Sequence, residues 1–273
     1  MSFELAEVDG IRLRFEDVGE GDPALLFLTG WCSSLERWDE VARRCSKRRR
    51  VIRFDWRGHG GSDVAASDFG VSEMVDDALA VIDASGVDEV VPCAASHAGW
   101  VAIDLRRRLG PRVPMLVHAD WMLVEPSERY MGVIRQLQGA EWPEARDTLF
   151  RIWAAGVDTP EIRSVLGVME KQAEEMWQRS GREIEGSYMR GGSPLHTFET
   201  LEPPVPVLHL YGQPHDESYL GAQQTYAVEH DWFQVRKLDA VTHFSMVESP
   251  DEVADEIERF VALNSVSPAG DTR

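Results

Sequence analysis

The chain has 273 residues, 43% of them hydrophobic, enough for one large α/β domain carrying an insertion. Its formal net charge of −19 argues against nucleic acid or an anionic membrane as partner, since such a surface repels both. Three scattered cysteines (Cys32, Cys45, Cys93) lack metal-type spacing, and neither a signal peptide nor a membrane-length apolar run is visible, so a cytoplasmic protein is expected.

In chain order, residues 3–8 and 11–16 flank Asp9-Gly10, the strongest short hairpin signal. Residues 24–29 read as a buried strand, followed by the loop Thr29-Gly30-Trp31-Cys32-Ser33. The basic run from Arg43 to Arg50 reads as a helix C-terminus whose cations complement the dipole, then a solvated loop leading into a strand at 51–55. The glycines of Asp55-Trp56-Arg57-Gly58-His59-Gly60-Gly61-Ser62 permit a tight turn, and we read that segment as scaffold, with His59 a structural hydrogen-bonding residue. A helix at 71–85, a strand at 87–95, a helix at 98–109 and a strand at 114–119 follow. After the insertion come strands at 205–211 and 233–238 and helices at 219–230 and 250–263. This alternation predicts an α/β fold with a mostly parallel sheet and helices on both faces.

Between Asp120 and Pro203 strand signals vanish, and helical patterns run through 127–137, 142–155 and 160–179. The expected organisation is a core at 1–120, a helical cap at 121–203, the rest of the core at 204–264 and a flexible tail at 265–273. The cap holds Trp121, Trp142, Trp153 and Trp177 with five methionines. Most of these suit cap–core packing, but such a set also walls a pocket for a flat apolar ligand.

The chemistry centres on Val90-Val91-Pro92-Cys93-Ala94-Ala95-Ser96-His97-Ala98, an apolar run that stops at a serine between small residues and precedes a helix. That is the layout of a nucleophile elbow; an ordinary helix N-cap serine is the alternative. In serine-elbow folds the residue after the serine and the loop after the earlier strand each give a backbone N–H to an oxyanion hole, here His97 and Trp31. Chain order places His243, before the last helix, at the base position. Two carboxylates compete for the acid partner: Asp120, which ends a strand, is preferred to Asp216, which suits a helix N-terminus. A His–Asp base with two backbone donors stabilises an enolate-type anion, and a buried carboxylate bonded to the base raises its pKa. The same set also serves ester hydrolysis with Ser96 attacking. A ligand receptor is a third, weaker reading, because it leaves this set without a use. No phosphate-binding Gly-rich loop or metal-ligand cluster appears, so activity without metal, flavin or nicotinamide is expected.

Together these segments resemble the α/β-hydrolase fold and, more narrowly, the cofactor-independent 3-hydroxy-4(1H)-quinolone 2,4-dioxygenases. The likeness spans nearly the whole chain. It rests on Gly30-Trp31-Cys32, Trp56-Arg57-Gly58-His59-Gly60, Ser96-His97-Ala98-Gly99-Trp100, Asp120-Trp121, Trp153, the block from Trp177 to Arg182, Gly192-Ser193-Pro194, His230-Asp231-Trp232-Phe233 and Thr242-His243-Phe244. The resemblance implies that His243 and Asp120 deprotonate the substrate 3-hydroxyl and that O2 then adds without a cofactor. Ring opening releases carbon monoxide and an N-acylanthranilate. It also implies that Ser96 orients substrate and that His97, Trp153 and Trp177 line the pocket. Ser33 and Ala95 stand where the quinaldine-cleaving enzyme has histidines, which implies a less polar pocket and a longer 2-alkyl chain. The implied partners are a small heteroaromatic substrate and O2, with no nucleic acid, membrane or obligate protein partner.

Overall fold

The computed structural model describes residues 3–265. The strands β1 (Glu4–Val8) and β2 (Ile11–Val18) form the expected hairpin. Asp9 and Gly10 both take positive φ, 53° and 74°, as a two-residue I′ turn requires. There follow β3 (Ala24–Leu28), α1 (Asp39–Cys45), β4 (Val51–Phe54), α2 (Val71–Ser85), β5 (Val90–Ala95), α3 (Ala98–Leu109) and β6 (Leu116–Ala119). Five helices come next: α4 (Glu128–Gln136), α5 (Trp142–Ala154), α6 (Pro160–Glu170), α7 (Glu174–Gly191) and α8 (Pro194–Phe198). The chain closes with β7 (Val207–Tyr211), α9 (Glu217–Glu229), β8 (Phe233–Lys237), α10 (Ser245–Glu248) and α11 (Pro250–Asn264).

The eight strands make one sheet in the order β1-β2-β4-β3-β5-β6-β7-β8. β2 meets β4 antiparallel, and every pairing beyond β4 is parallel. β3 to β7 are buried along their whole length, which is why they read as continuous apolar runs. One face packs on α1 and α11 through Val41, Cys45, Ile257 and Phe260; the other packs on α2, α3 and the inserted helices.

Three local expectations need correction. The single helix read over 160–179 is two, because Ala173 is extended and acts as N-cap to α7. Lys171, Gln172 and Ala173 are good helix formers, so propensity gave no sign of the break. The short α8 was missed, although Ser193-Pro194 is an N-cap followed by proline at the first helical position, and Ser193 Oγ accepts the His196 N–H. The basic run does end α1, but Arg49 and Arg50 pair with Glu258 (2.9 Å) and Asp17 (2.6 Å) rather than standing in solvent. Of the expected tail at 265–273, residues 266–273 lie outside the described residues.

Candidate active site

Three neighbouring parallel strands, β3, β5 and β6, end at one edge of the sheet, and each hands the chain to a non-glycine residue in the left-handed region. These are Cys32 (φ 61°), Ser96 (φ 53°) and Asp120 (φ 49°). Such a conformation costs on the order of 1–3 kcal/mol per residue and persists only where the surroundings hold it. At the elbow the Ser96 N–H donates to the Ala119 carbonyl (2.8 Å) and the Gly99 N–H to the Ser96 carbonyl (3.0 Å). Gly99 must be glycine, since a Cβ there would collide with the Trp121 ring.

The loop after β3 lies against the elbow: a Cβ on Gly30 would stand 3.3 Å from Ser96 Cβ. Trp31 stacks on Phe69, with centroids 5.8 Å apart. The Cys32 N–H donates to His59 Nε2 (3.0 Å), so Nδ1 carries the proton and donates to the Arg57 carbonyl (3.0 Å). Arg57 in turn grips buried Asp77 (2.6 and 2.8 Å). Residues 55–62 are therefore scaffold, and burial holds the His59 pKa down at about 4.

His97 opens α3 and is buried, with its ring edge-on to Tyr188 (5.5 Å) and its Nδ1 without a partner. Burial lowers its pKa to about 3, so it is neutral. The backbone N–H groups of Trp31 and His97 have no acceptor among the described residues, as an oxyanion hole demands.

His243 is only partly covered and faces the ring of Trp153, stacked at 5.3 Å and 18°. Its backbone N–H donates to the Trp153 carbonyl (2.8 Å). Gln213 binds the same corner, giving its amide hydrogens to the carbonyls of Ile152 (2.9 Å), Trp153 (3.2 Å) and Val241 (2.8 Å). Asp120 is fully buried, with one carboxylate oxygen accepting the Gly212 N–H and the other the Ser245 N–H, both at 2.8 Å. No hydrogen bond joins Asp120 to the His243 ring, nor Ser96 Oγ to it. The expected upward shift of the base is reversed: burial first, then Arg37 and His97, push the His243 pKa well down. Asp216 is exposed and caps α9 through the Ser218 N–H (2.8 Å), the helix-terminal role weighed for it above.

Ser96, His97, Trp153 and His243 line two small lobes of one chamber, of about 20 and 100 Å³. Gly30, Trp31, Arg37 and Trp177 wall the first lobe; Asp120, Met122, Tyr130 and Pro214 wall the second. Larger cavities elsewhere contain none of Ser96, Asp120 or His243. Ser33 belongs to one of these, a groove of about 370 Å³ beside Val165 and Val168 of α6. It is not part of the chamber wall, because the left-handed Cys32 turns the chain away before it.

Sequence reasoning missed Arg37 and Gln213. Arg37 is buried, donates to the His243 carbonyl (2.9 Å) and lies over the Phe244 ring (4.6 Å). Among the described residues no cluster of three or more His, Cys, Asp or Glu side chains is arranged to hold a metal ion, and no helix is long and apolar enough to cross a membrane. Chemically, a neutral imidazole, two free backbone donors and apolar walls suit removal of a proton from an acidic hydroxyl, with the resulting oxyanion held in place.

The model of the alpha/beta hydrolase family matches residues 25–256. A 2-heptyl-3-hydroxy-4-quinolone dioxygenase of Rhodococcus erythropolis is 36% identical over 94% of this chain and 97% of its own length. The 1H-3-hydroxy-4-oxoquinoline 2,4-dioxygenase of Pseudomonas putida is 32% identical over 93% of this chain and 97% of its own. A solved variant enzyme in complex with its substrate, from work on recognition and ring-cleavage of the Pseudomonas quinolone signal, superposes with a TM-score of 0.89 at 32% identity, covering 96% of this chain and 99% of that one.

Proposed function

We infer that this chain, which belongs to the alpha/beta hydrolase family and within it to the 3-hydroxy-4-quinolone dioxygenases, is a ring-cleaving dioxygenase of 2-alkyl-3-hydroxy-4(1H)-quinolones. The observation that carries this reading is end-to-end similarity to enzymes named for that reaction, with substrate held in one solved relative. It favours the dioxygenase over the serine hydrolase.

In the proposed reaction neutral His243 takes the proton of the substrate 3-hydroxyl. The Trp31 and His97 N–H groups hold the oxyanion, and buried Asp120 offsets the imidazolium charge. Ser96 orients the substrate, and Trp153 and Trp177 enclose its rings. The electron-rich anion bonds O2 at C2, and the peroxide attacks the C4 carbonyl carbon. Ring opening then expels C3 as carbon monoxide and leaves the N-acylanthranilate, both oxygen atoms of O2 staying in the organic product. The work is done without a bound cofactor. The Rhodococcus relative's heptyl substrate supports an alkylated ring, the three free cysteines support a cytoplasmic enzyme, and the acidic surface supports one without nucleic acid or membrane as partner.

The test is to incubate chelator-treated protein with 2-heptyl-3-hydroxy-4(1H)-quinolone in air. Carbon monoxide and N-octanoylanthranilate should appear in equal amounts. Turnover of simple esters with no carbon monoxide from the quinolone would make it a hydrolase.

A further inference from the structure

Arg37 is a charge buried in the chamber wall without an ion-pair partner. No carboxylate among the described residues lies within salt-bridge distance of it, and its contacts are the His243 carbonyl, the Met246 sulfur (3.3 Å) and the Phe244 ring. The acids beside it in sequence are taken: Glu36 is held by Arg14 (2.6 Å), and Asp39 by Arg53. A buried guanidinium left this way is costly unless something uses its charge.

Its position suggests the use. Arg37 walls the lobe that holds Gly30 and Trp31, while Asp120 walls the other, and His243 borders both. Proton transfer from a neutral substrate to a neutral imidazole creates a pair of charges, an oxyanion and an imidazolium. A chamber with a fixed positive group on one side and a fixed negative group on the other is organised for that pair before it forms.

We propose that Arg37 is the counter-charge of the substrate anion, a positioning residue that makes the enzyme bind the quinolone ionised at its 3-hydroxyl. The inference rests on the dioxygenase reading given above. The charged and titratable groups facing the guanidinium are Asp120, His243 and His97, with Glu36 and Asp39 along the outer groove. Burial lowers the Arg37 pKa to about 10 against the pull of Asp120, so it stays charged at neutral pH.

The test is anaerobic, so that binding is read without turnover. The quinolone is bound to wild-type, Arg37→Met and Arg37→Lys enzyme across a pH series, and the absorption spectrum gives the ionised fraction. Wild type should hold the anion at pH values where free substrate is neutral. Arg37→Met should raise the ionisation midpoint of bound substrate by about one unit or more, roughly tenfold less anion at a given pH, the loss at the oxyanion outweighing the relief of the charge that holds the His243 pKa down. In air its kcat should fall by a similar factor while KM changes less. Arg37→Lys should retain most of the anion. A folded Arg37→Met with an unmoved midpoint overturns the proposal. If Arg37→Met does not fold, a folded Arg37→Lys that loses the anion overturns it equally, because the charge is still present. A wild type that releases no carbon monoxide in air overturns the dioxygenase reading and this inference with it.

Discussion

Acid should unfold this protein before it titrates His243, the proposed base. Four histidines, His59, His97, His118 and His209, are buried and held neutral: burial lowers their pKa values to about 4, about 3, well below normal and about 4 respectively. In the unfolded chain each titrates near ~6.5. The unfolded state therefore binds more protons below that pH, and the stability these groups contribute is whole above it and drains away as pH falls toward their folded values. At pH ~5.5 the loss is about 1.4 kcal/mol for each group, and His243, whose pKa is pushed down in the same direction, adds a fifth such site, roughly 7 kcal/mol in all. A typical domain has only about 5–15 kcal/mol in total. Asp55, Asp77 and Asp120, raised mainly by burial, act in the opposite sense and blunt the loss at the low end. Urea unfolding followed by circular dichroism at pH 7.5, 6.5 and 5.5 measures it. Neither ring nitrogen of His118 has a hydrogen-bond partner, so His118→Leu removes one proton site without orphaning another group, and it should remove about a fifth of the pH dependence. The rate should collapse with the fold on the acid side, since His243 is also held neutral. A stability that is flat from pH 7.5 to 5.5 would refute the reasoning.

If Ser96 only orients substrate, Ser96→Ala should lose about tenfold or less in kcat/KM, while His243→Ala loses the ~10²–10⁴ typical of a general base; equal losses, or an acyl adduct on Ser96 by mass spectrometry, would restore the hydrolase. Asp120→Ala should lower the rate at least ~10-fold and cost about 1–3 kcal/mol for each of the two buried N–H groups it orphans. Asp216→Ala should leave the rate unchanged and cost ~1 kcal/mol as a lost cap, seen as a shifted urea midpoint. Extensive chelation should leave activity intact, and recovery of lost activity on adding iron or copper would contradict a cofactor-free reaction.

The parts of the proposed site that were legible in the sequence are those with local signatures. Ser96 shows itself by the small residues around it, Asp120 by ending an apolar run, and His243 by chain order. The parts that were not legible depend on contacts between distant segments. Arg37 acquires its place from a carbonyl 206 residues away, and nothing in Leu35-Glu36-Arg37-Trp38 announces it. Gln213 joins residues 60, 61 and 28 positions distant. Ser33 lines the neighbouring groove rather than the chamber, because the left-handed turn at Cys32 is a tertiary fact. The break between α6 and α7 falls among strong helix formers, where packing overrules propensity.

The Gln213 corner has a kinetic consequence. The Gln213 amide, the His243 N–H bond to the Trp153 carbonyl and the ring stack tie the last turn of α5 to the loop that carries His243, the proposed base, so displacing one segment should strain the other. A ligand too thick to fit beside Trp153 should therefore do more than bind badly: by displacing that indole it should also disturb the imidazole stacked on it. Discrimination among ring systems should accordingly register in turnover number more than in apparent affinity, and an oversized quinolone should behave as a tightly held, slowly consumed inhibitor.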